Sequence, residues 1–101
     1  MFLDHCAGFD LKLVEHKIFP KLSDLIANDI PACMYDVSRG VIGTVSNVFE
    51  VATEIALRRG DDCIRRDDLS AAVRTWAIPL DLTDHDPFSL GVRKLKPSKV
   101  V

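Results

Sequence analysis

The longest regular pattern of apolar residues runs from Val41 to about Arg59, with apolar positions recurring at steps of three and four. Polar side chains fall mainly on the other side of the implied helix. Arg58 and Arg59 suit the negative end of its last turn, and Gly60 follows them. This spacing predicts an amphipathic helix of about five turns. Its apolar positions are Val41, Ile42, Val45, Val48, Phe49, Ala52, Ile55 and Ala56.

A second helix is predicted from about Arg66 to Ala77, because apolar residues again recur at helical spacing. Asp67 and Asp68 suit the positive N-terminal end of this helix, and Pro79 stops it. The segment between the two helices is a polar turn followed by a single apolar anchor, Ile64. The buried stripe of the second helix is predicted to consist of Leu69, Ala72, Val73 and Trp76.

Two more helices are predicted upstream of the long one. Asp29 and Pro31 are typical of a helix cap followed by a first-turn proline, and the helix that they open should run to Ser38. Residues 2–10 carry apolar positions at helical spacing as well. The intervening residues are expected to form a connector, with a short helical turn near residues 22–26.

These segments together predict an all-α fold, since no stretch alternates apolar and polar residues with a period of two. We expect a small bundle of four main helices in residues 1–79, followed by an extended C-terminal tail in residues 80–101. The chain enters an apolar helical pattern at Phe2 with no capping residue before it. We therefore expect that an upstream element once preceded this helix.

Charge is divided unevenly along the chain. Residues 1–89 hold nine basic and 15 acidic residues, whereas residues 90–101 hold four basic residues and no acid. An acidic body with a basic tail is not typical of a dedicated DNA-binding domain, although the tail alone could contact phosphate or an acidic partner. The basic residues of the tail are Arg93, Lys94, Lys96 and Lys99.

Cys6, Cys33 and Cys63 are widely spaced, odd in number and without a Cys-x-x-Cys pair. This pattern predicts reduced thiols in a cytoplasmic protein and no metal site. No apolar run approaches the roughly 18–20 residues that span a bilayer. The start of the chain also lacks the basic region of a signal peptide. We therefore expect no metal, no cofactor and no membrane contact.

The pair Gly40 and Gly43 suggests a ligand cradle, but its surroundings do not fit one. A P-loop needs a lysine after the second glycine and a buried strand before the first, and both are missing. A clamp of the KH type would need another glycine three residues after Gly43. We expect a structural role instead: Gly40 ends one helix in a left-handed conformation, and Gly43 permits close contact in the first turn of the next.

Two other functional classes find little support in the residues. A DNA-reading helix-turn-helix would have a shorter turn, and Asp67 and Asp68 would repel phosphate where the second helix meets bases. The arginines near this turn are expected to be solvated or to pair with its four aspartates. His5, His16 and His85 are scattered and have no obvious nucleophile partner, so we expect no catalytic residues.

The stretch SRGVIGTVSNVFEVATEIALRRGDDCIRRDDLSAAV, residues 38–73, resembles the C-terminal helical lid of AAA+ ATPases. In that lid a glycine turn opens a long helix, and an alanine-rich stretch, a Gly, an Ile and an x-x-D-L-x-x-A helix follow. It is most similar to the TniB/TnsC-type transposition helper ATPases, and the similarity covers about residues 2–88. The shared positions are Ser38, Gly40, Ile42 and Gly43, with Ser23 and Leu25 upstream and Asp86, Pro87 and Phe88 downstream.

The resemblance implies a lid-like domain without its ATP-binding core, since the chain has no P-loop, no Walker B acids and no sensor strand. In the intact family the lid closes over ATP and helps the ATPase assemble on DNA to direct a transposase. The lid's sensor arginine is absent near Gly43 and Thr44, and Arg39 is its nearest substitute. The resemblance therefore makes Arg39, Gly40, Gly43 and Thr44 the candidate nucleotide-sensing residues.

The function expected from this resemblance is non-catalytic protein contact, with self-association, an ATPase core or a transposase as the partner. The candidate contact residues are Asp86, Pro87 and Phe88 together with the basic tail. The alternative is a small DNA-binding adaptor that uses Arg93, Lys94, Lys96 and Lys99. A degenerate gene fragment without a present function is a third alternative.

Overall fold

The computed structural model describes residues 2–91, and within that range the protein is a small all-α bundle, as predicted. The four main helices of the prediction are present, and a short fifth helix follows them. The remainder of the predicted tail, residues 92–101, lies outside the described residues. The elements are α1 (Phe2–Glu15), α2 (Ile30–Ser38), α3 (Ile42–Arg58), α4 (Arg66–Ala72), a π-helical turn (Val73–Ala77) and α5 (Pro87–Leu90).

Helix α3 forms the centre of the bundle and packs against α1, α2 and α4. Most of its predicted apolar stripe is buried, which confirms the predicted amphipathic helix. Val41 and Ile42 differ from the prediction, because 57% of Val41 and 40% of Ile42 is exposed. They lie where the helix begins, beyond the face that packs on the core. The buried stripe consists of Val45, Val48, Phe49, Ala52 and Ala56.

Helix α4 begins after Arg65, where the Asp68 carboxylate accepts a hydrogen bond of 2.9 Å from the Arg65 backbone N–H. This carboxylate therefore supplies the N-terminal cap that the paired acids predicted. The helix then widens into the π-helical turn, in which the Ile78 N–H donates to the Val73 carbonyl at 2.9 Å. Leu69, Ala72, Val73 and Ala77 are buried, whereas Trp76 is only partly buried against the core.

Helix α1 continues to Glu15, five residues beyond the predicted end at Asp10. Its buried Asp10 carboxylate accepts hydrogen bonds from the backbone N–H groups of Ser23 at 2.7 Å and Leu25 at 3.1 Å. The Ser23 hydroxyl in turn accepts from the Ile64 N–H at 2.8 Å. The connector between α1 and α2 is thus fastened both to α1 and to the α3–α4 turn.

The first part of the predicted tail packs into the bundle. Helix α5 contacts α2 and α4, and Thr83, Asp86, Pro87 and Phe88 are buried. The predicted boundary at residue 79 therefore does not coincide with the end of the packed body. The physical reason is that Pro87 and Phe88 fill an apolar groove, and the Asp86 carboxylate caps α5 by accepting from the Phe88 N–H at 3.1 Å.

Within the described residues, no single helix is long and apolar enough to cross a membrane. Helices α2 and α3 taken together meet that test by length and composition, but they are bent by 118° at the turn between them.

Candidate functional site

The four candidate nucleotide-sensing residues lie in the turn between α2 and α3 and in the first turn of α3. Arg39 and Gly40 both have left-handed backbone angles, with φ of +54° and +83°. The Arg39 N–H donates to the Tyr35 carbonyl at 2.7 Å, and the Gly40 N–H donates to the Ser38 hydroxyl at 3.1 Å. The Val41 N–H donates to the Ser38 carbonyl at 3.0 Å. Because these amides bond within the chain, they do not form an anion cradle at this turn.

The two glycines have different roles in this turn. A Cβ on Gly40 would lie 3.0 Å from Cε2 of the Tyr35 ring, so Gly40 is needed for both its backbone angle and its space. A Cβ on Gly43 would meet nothing within 4 Å. The predicted role of Gly43 in close helix contact is therefore wrong. Gly43 and Thr44 lie in the first turn of α3, and Arg39 is exposed beside them.

An apolar surface borders this turn. The Tyr35 ring packs edge-on against the Phe2 ring of α1, with 5.4 Å between ring centroids, and 57% of Tyr35 is exposed. Val41 and Ile42 follow Gly40 directly and are exposed as described above. We call Phe2, Tyr35, Val41 and Ile42 the junction patch. Phe2 is partly buried, and the other three side chains are exposed. Exposed apolar side chains near one another are typical of a protein contact surface.

A histidine and a serine come together next to this surface. His5 Nε2 of α1 lies 2.8 Å from Ser46 Oγ of α3, a pair that no motif in the sequence indicates because 41 positions separate the two residues. Ser46 belongs to the second turn of α3, where backbone N–H groups are used inside the helix, so no oxyanion site faces it. Neither of the two surface grooves described below includes this pair. It fastens α1 to α3 and provides no support for nucleophilic catalysis.

The arginines around the α3–α4 turn pair with acids, as predicted, but several partners differ from the four aspartates expected. Arg59 lies 3.3 Å from the buried Asp68 carboxylate, and burial raises the pKa of Asp68 despite this ion pair. Paired arginines are poor phosphate ligands, which weakens the case for DNA contact by this hairpin. The remaining ion pairs are Arg58–Glu54, Arg65–Asp61, Arg65–Asp62, Arg66–Asp29 and Arg74–Asp86.

The candidate contact residues Asp86, Pro87 and Phe88 lie inside the protein and do not form a contact surface. Asp86 and Phe88 are only 4% and 5% exposed. We call residues 86–90 the clasp segment, and the surface of α2, α4 and the π-helical turn that holds it the clasp groove. Arg93, Lys94, Lys96 and Lys99, the other contact candidates, lie outside the described residues.

The clasp segment is held at its first residue, Asp86, and at its centre, Phe88. The Asp86 carboxylate accepts a hydrogen bond from the Ser70 hydroxyl and lies 3.5 Å from the Arg74 guanidinium. Arg66 donates from Nε to the Phe88 carbonyl at 2.9 Å, and its guanidinium carbon lies 5.7 Å from the centre of the Phe88 ring. The same guanidinium bonds the Asp29 carboxylate at 2.6 and 3.0 Å. These bonds lower the pKa of Asp29 and raise that of Arg66.

All three cysteines are free thiols, as predicted. Cys33 lies beneath the clasp segment, with its sulfur 3.6 Å from the Pro87 carbonyl oxygen. Burial, together with the charge of Asp29, raises the pKa of Cys33 to about 11. Burial also raises the pKa values of Cys6 and Cys63. Among residues 2–91 there is no cluster of three His, Cys, Asp or Glu side chains that could hold a metal ion.

Two shallow grooves mark the described surface. One, between α1 and α3, is mostly apolar and has a volume of about 270 Å³. Its lining residues are Phe9, Lys12, Leu13, His16, Ile18, Glu50 and Thr53. The other, of about 450 Å³, is more polar and lies between the connector and the start of α4. Its lining residues are Ser23, Asp24, Ala27, Asn28, Ile30, Ile64, Arg65, Arg66 and Asp67.

Comparison with protein-family models, with curated proteins and with solved structures finds no match to this chain. The class that the structure defines is therefore a small all-α bundle. The similarity to the lid of AAA+ ATPases depends on the sequence motifs alone and stays a prediction.

Proposed function

We propose that this chain is a non-catalytic, cytoplasmic interaction domain that resembles the lid of a TniB/TnsC-type transposition ATPase. The observation that carries the proposal is the junction patch, where Tyr35, Val41 and Ile42 are exposed next to the turn that matches the lid motif. An apolar surface of this kind is stabilised when a protein partner covers it.

The position of the junction patch suits a lid that packs on an ATPase core. Arg39 lies exposed beside Gly40 in the turn that precedes α3, so a partner that covers Val41 would also meet Arg39. The combination of an apolar contact and one adjacent arginine fits a core that presents an apolar face and an acidic or phosphate group. The partner of the proposal is therefore the nucleotide-binding core of a transposition ATPase.

The experiment compares two aspartate variants of the full chain. Val41→Asp places a charge in the junction patch, whereas Leu57→Asp, the matched control, alters an exposed leucine at the far end of the same helix. Binding to the isolated nucleotide-binding core of a TniB-type ATPase is measured by biolayer interferometry. We expect the wild type and Leu57→Asp to bind alike and Val41→Asp to bind roughly tenfold or more weakly, a loss of about 1.4 kcal/mol or more.

Two results would contradict this proposal. The first is a wild-type chain that does not bind the core and sediments as a monomer at every concentration. The second is salt-dependent binding to duplex DNA that disappears when residues 90–101 are deleted, which would favour the adaptor with a basic tail.

A further inference from the structure

The clasp segment behaves structurally like a bound peptide. Its contacts go to residues far away in the sequence: Ser70 precedes Asp86 by 16 positions, Arg66 precedes Phe88 by 22, and Cys33 is more distant still. One ion pair, three side-chain hydrogen bonds and a cation–π contact fasten this segment, whose helix is only four residues long. Such contacts do not depend on the covalent connection between the segment and its groove. Any chain that contains the segment can therefore supply it.

We propose that the clasp segment of one copy docks in the clasp groove of a second copy, so that two copies exchange residues 86–90 reciprocally and form a two-fold symmetric dimer. Each groove then holds the same groups as before. An acid from the other copy bonds Ser70 and Arg74, and a Pro-Phe pair from that copy fills the apolar part of the groove. Exchange of an identical element conserves every contact that the element makes, and only the linker before it changes path.

The linker supports a second copy as the occupant. Residues 78–85 contain turns but no regular helix, and Asp81 has a left-handed φ of +62°. Asp adopts this conformation more readily than most residues with a Cβ, but it is still less favourable than an extended one, and a linker that opens to reach the other copy releases it. The bundle before residue 78 and the clasp segment itself keep their structures during the exchange.

Exposed leucines on the linker and the clasp segment favour the same occupant. Leu80 is 56%, Leu82 is 37% and Leu90 is 73% exposed. In an exchanged dimer the two linkers cross between the copies, so Leu80 and Leu82 of one chain come close to those of the other. Burial of apolar area that the single chain leaves in water favours the dimer. The exchange uses none of the residues of the junction patch, so it does not depend on the function proposed above.

The test uses two full-length variants that complement each other. Phe88→Ala damages the clasp segment and leaves the groove intact, whereas Arg66→Ala damages the groove and leaves the segment intact. In a mixed dimer one intact groove holds one intact segment. The other site carries both changes. Because Arg66 and Phe88 touch each other, the two changes together cost less free energy than the sum of the two single changes. The mixed dimer is therefore more stable than the dimer that either variant forms with itself.

The two variants are unfolded and refolded together, and dimers are counted by native mass spectrometry with one chain isotope-labelled. We expect roughly tenfold more mixed dimer than in a control that pairs Phe88→Ala with Arg58→Ala, which corresponds to about 1.4 kcal/mol. Arg58 bonds Glu54 on the exposed side of α3 and takes no part in the clasp groove. Equal amounts of mixed dimer in the two samples would overturn the proposal.

A second variant keeps the proposal testable if the substitutions prevent folding. Deleting residues 80–82 shortens the linker, so the clasp segment can no longer turn back onto its own groove. The deletion also removes Leu80 and Leu82, so the dimer of this variant depends on the clasp contacts and on Leu90. We expect this variant to form a dimer with wild-type helix content. A folded monomer, or a chain that stays unfolded at every concentration, would overturn the exchange. Adding Val41→Asp to every chain leaves the dimer yield unchanged if the exchange is independent of the junction patch, and loss of the dimer would overturn it.

Discussion

Alanine at Gly40 and alanine at Gly43 should change the free energy of unfolding in opposite directions. Gly40 has φ of +83°, and a Cβ there would lie 3.0 Å from the Tyr35 ring. Gly43 lies in the first turn of α3, and a Cβ there would meet nothing within 4 Å. The same substitution therefore separates a glycine that the turn requires from one that the helix tolerates.

The magnitudes follow from the backbone conformations. A residue with a Cβ costs about 1–2 kcal/mol in the left-handed region, and reduced freedom of the unfolded chain returns about 0.4–1 kcal/mol. Displacement of the Tyr35 ring adds to the loss, so Gly40→Ala should lower stability by about 1–2 kcal/mol. Gly43→Ala should raise stability by about 0.5–1 kcal/mol, because alanine is the better helix former.

The assay is urea unfolding followed by circular dichroism, with thermal unfolding as a second measurement. A change of 1 kcal/mol shifts the midpoint of a domain this size by about 4–8 °C. Gly8→Ala is the matched control, since Gly8 lies within α1 and a Cβ there also meets nothing within 4 Å. If Gly43→Ala lowered stability as much as Gly40→Ala, Gly43 would be needed for close contact, and the reasoning would be refuted.

Three further predictions concern buried polar groups and thiols. Asp10→Ala should lower the free energy of unfolding by about 2–4 kcal/mol in urea titrations, because two backbone N–H groups lose a charged acceptor. Burial raises the pKa of Asp68 in the folded state, so its ionisation lowers stability as pH rises. Asp68→Asn removes this ionisation. The loss of unfolding free energy that it causes should therefore be smaller near about pH 7 than near about pH 4 in the same titrations. Native protein treated with a maleimide should gain its first adduct at Cys63 by mass spectrometry, since Cys6 and Cys33 are buried.

Each of these predictions has a result that contradicts it. For Asp10→Ala it is a loss below about 0.5 kcal/mol, the size of an ordinary surface change. For Asp68→Asn the contradicting result is a loss of unfolding free energy that stays constant or grows as pH rises. For the thiols it is an adduct at Cys33 that forms as fast as the one at Cys63 while the protein remains folded.

The four main helices could be predicted from the sequence because the signals that define them are local. Apolar spacing marks α3 and α4, and Asp29 with Pro31 marks the start of α2. Helix α5 carries a similar local signal, since Asp86 precedes Pro87 and caps the helix. The Asp-Pro pair could have indicated where α5 begins. Apolar spacing could not have indicated it, because a helix of four residues is too short to show a helical period.

The candidate site was less predictable because it depends on contacts between distant residues. Val41 and Ile42 are exposed although they continue the apolar spacing of α3, because that spacing does not show which positions neighbouring helices cover. The burial of Phe88 depends on Arg66, 22 positions earlier. The bond between His5 and Ser46 spans 41 positions. A single sequence gives residue types at these positions but not their partners.

The fastening of the connector by Asp10 has a consequence for how the chain can be altered. Residues 16–29 form no regular helix, yet Phe19 and Leu25 are buried, and the Ser23 hydroxyl reaches the Ile64 N–H. This loop is therefore a structural component of the core and cannot serve as a hinge between α1 and the other helices. Foreign sequence inserted near Ser23 should abolish folding, in contrast to the tolerance that irregular surface loops usually show.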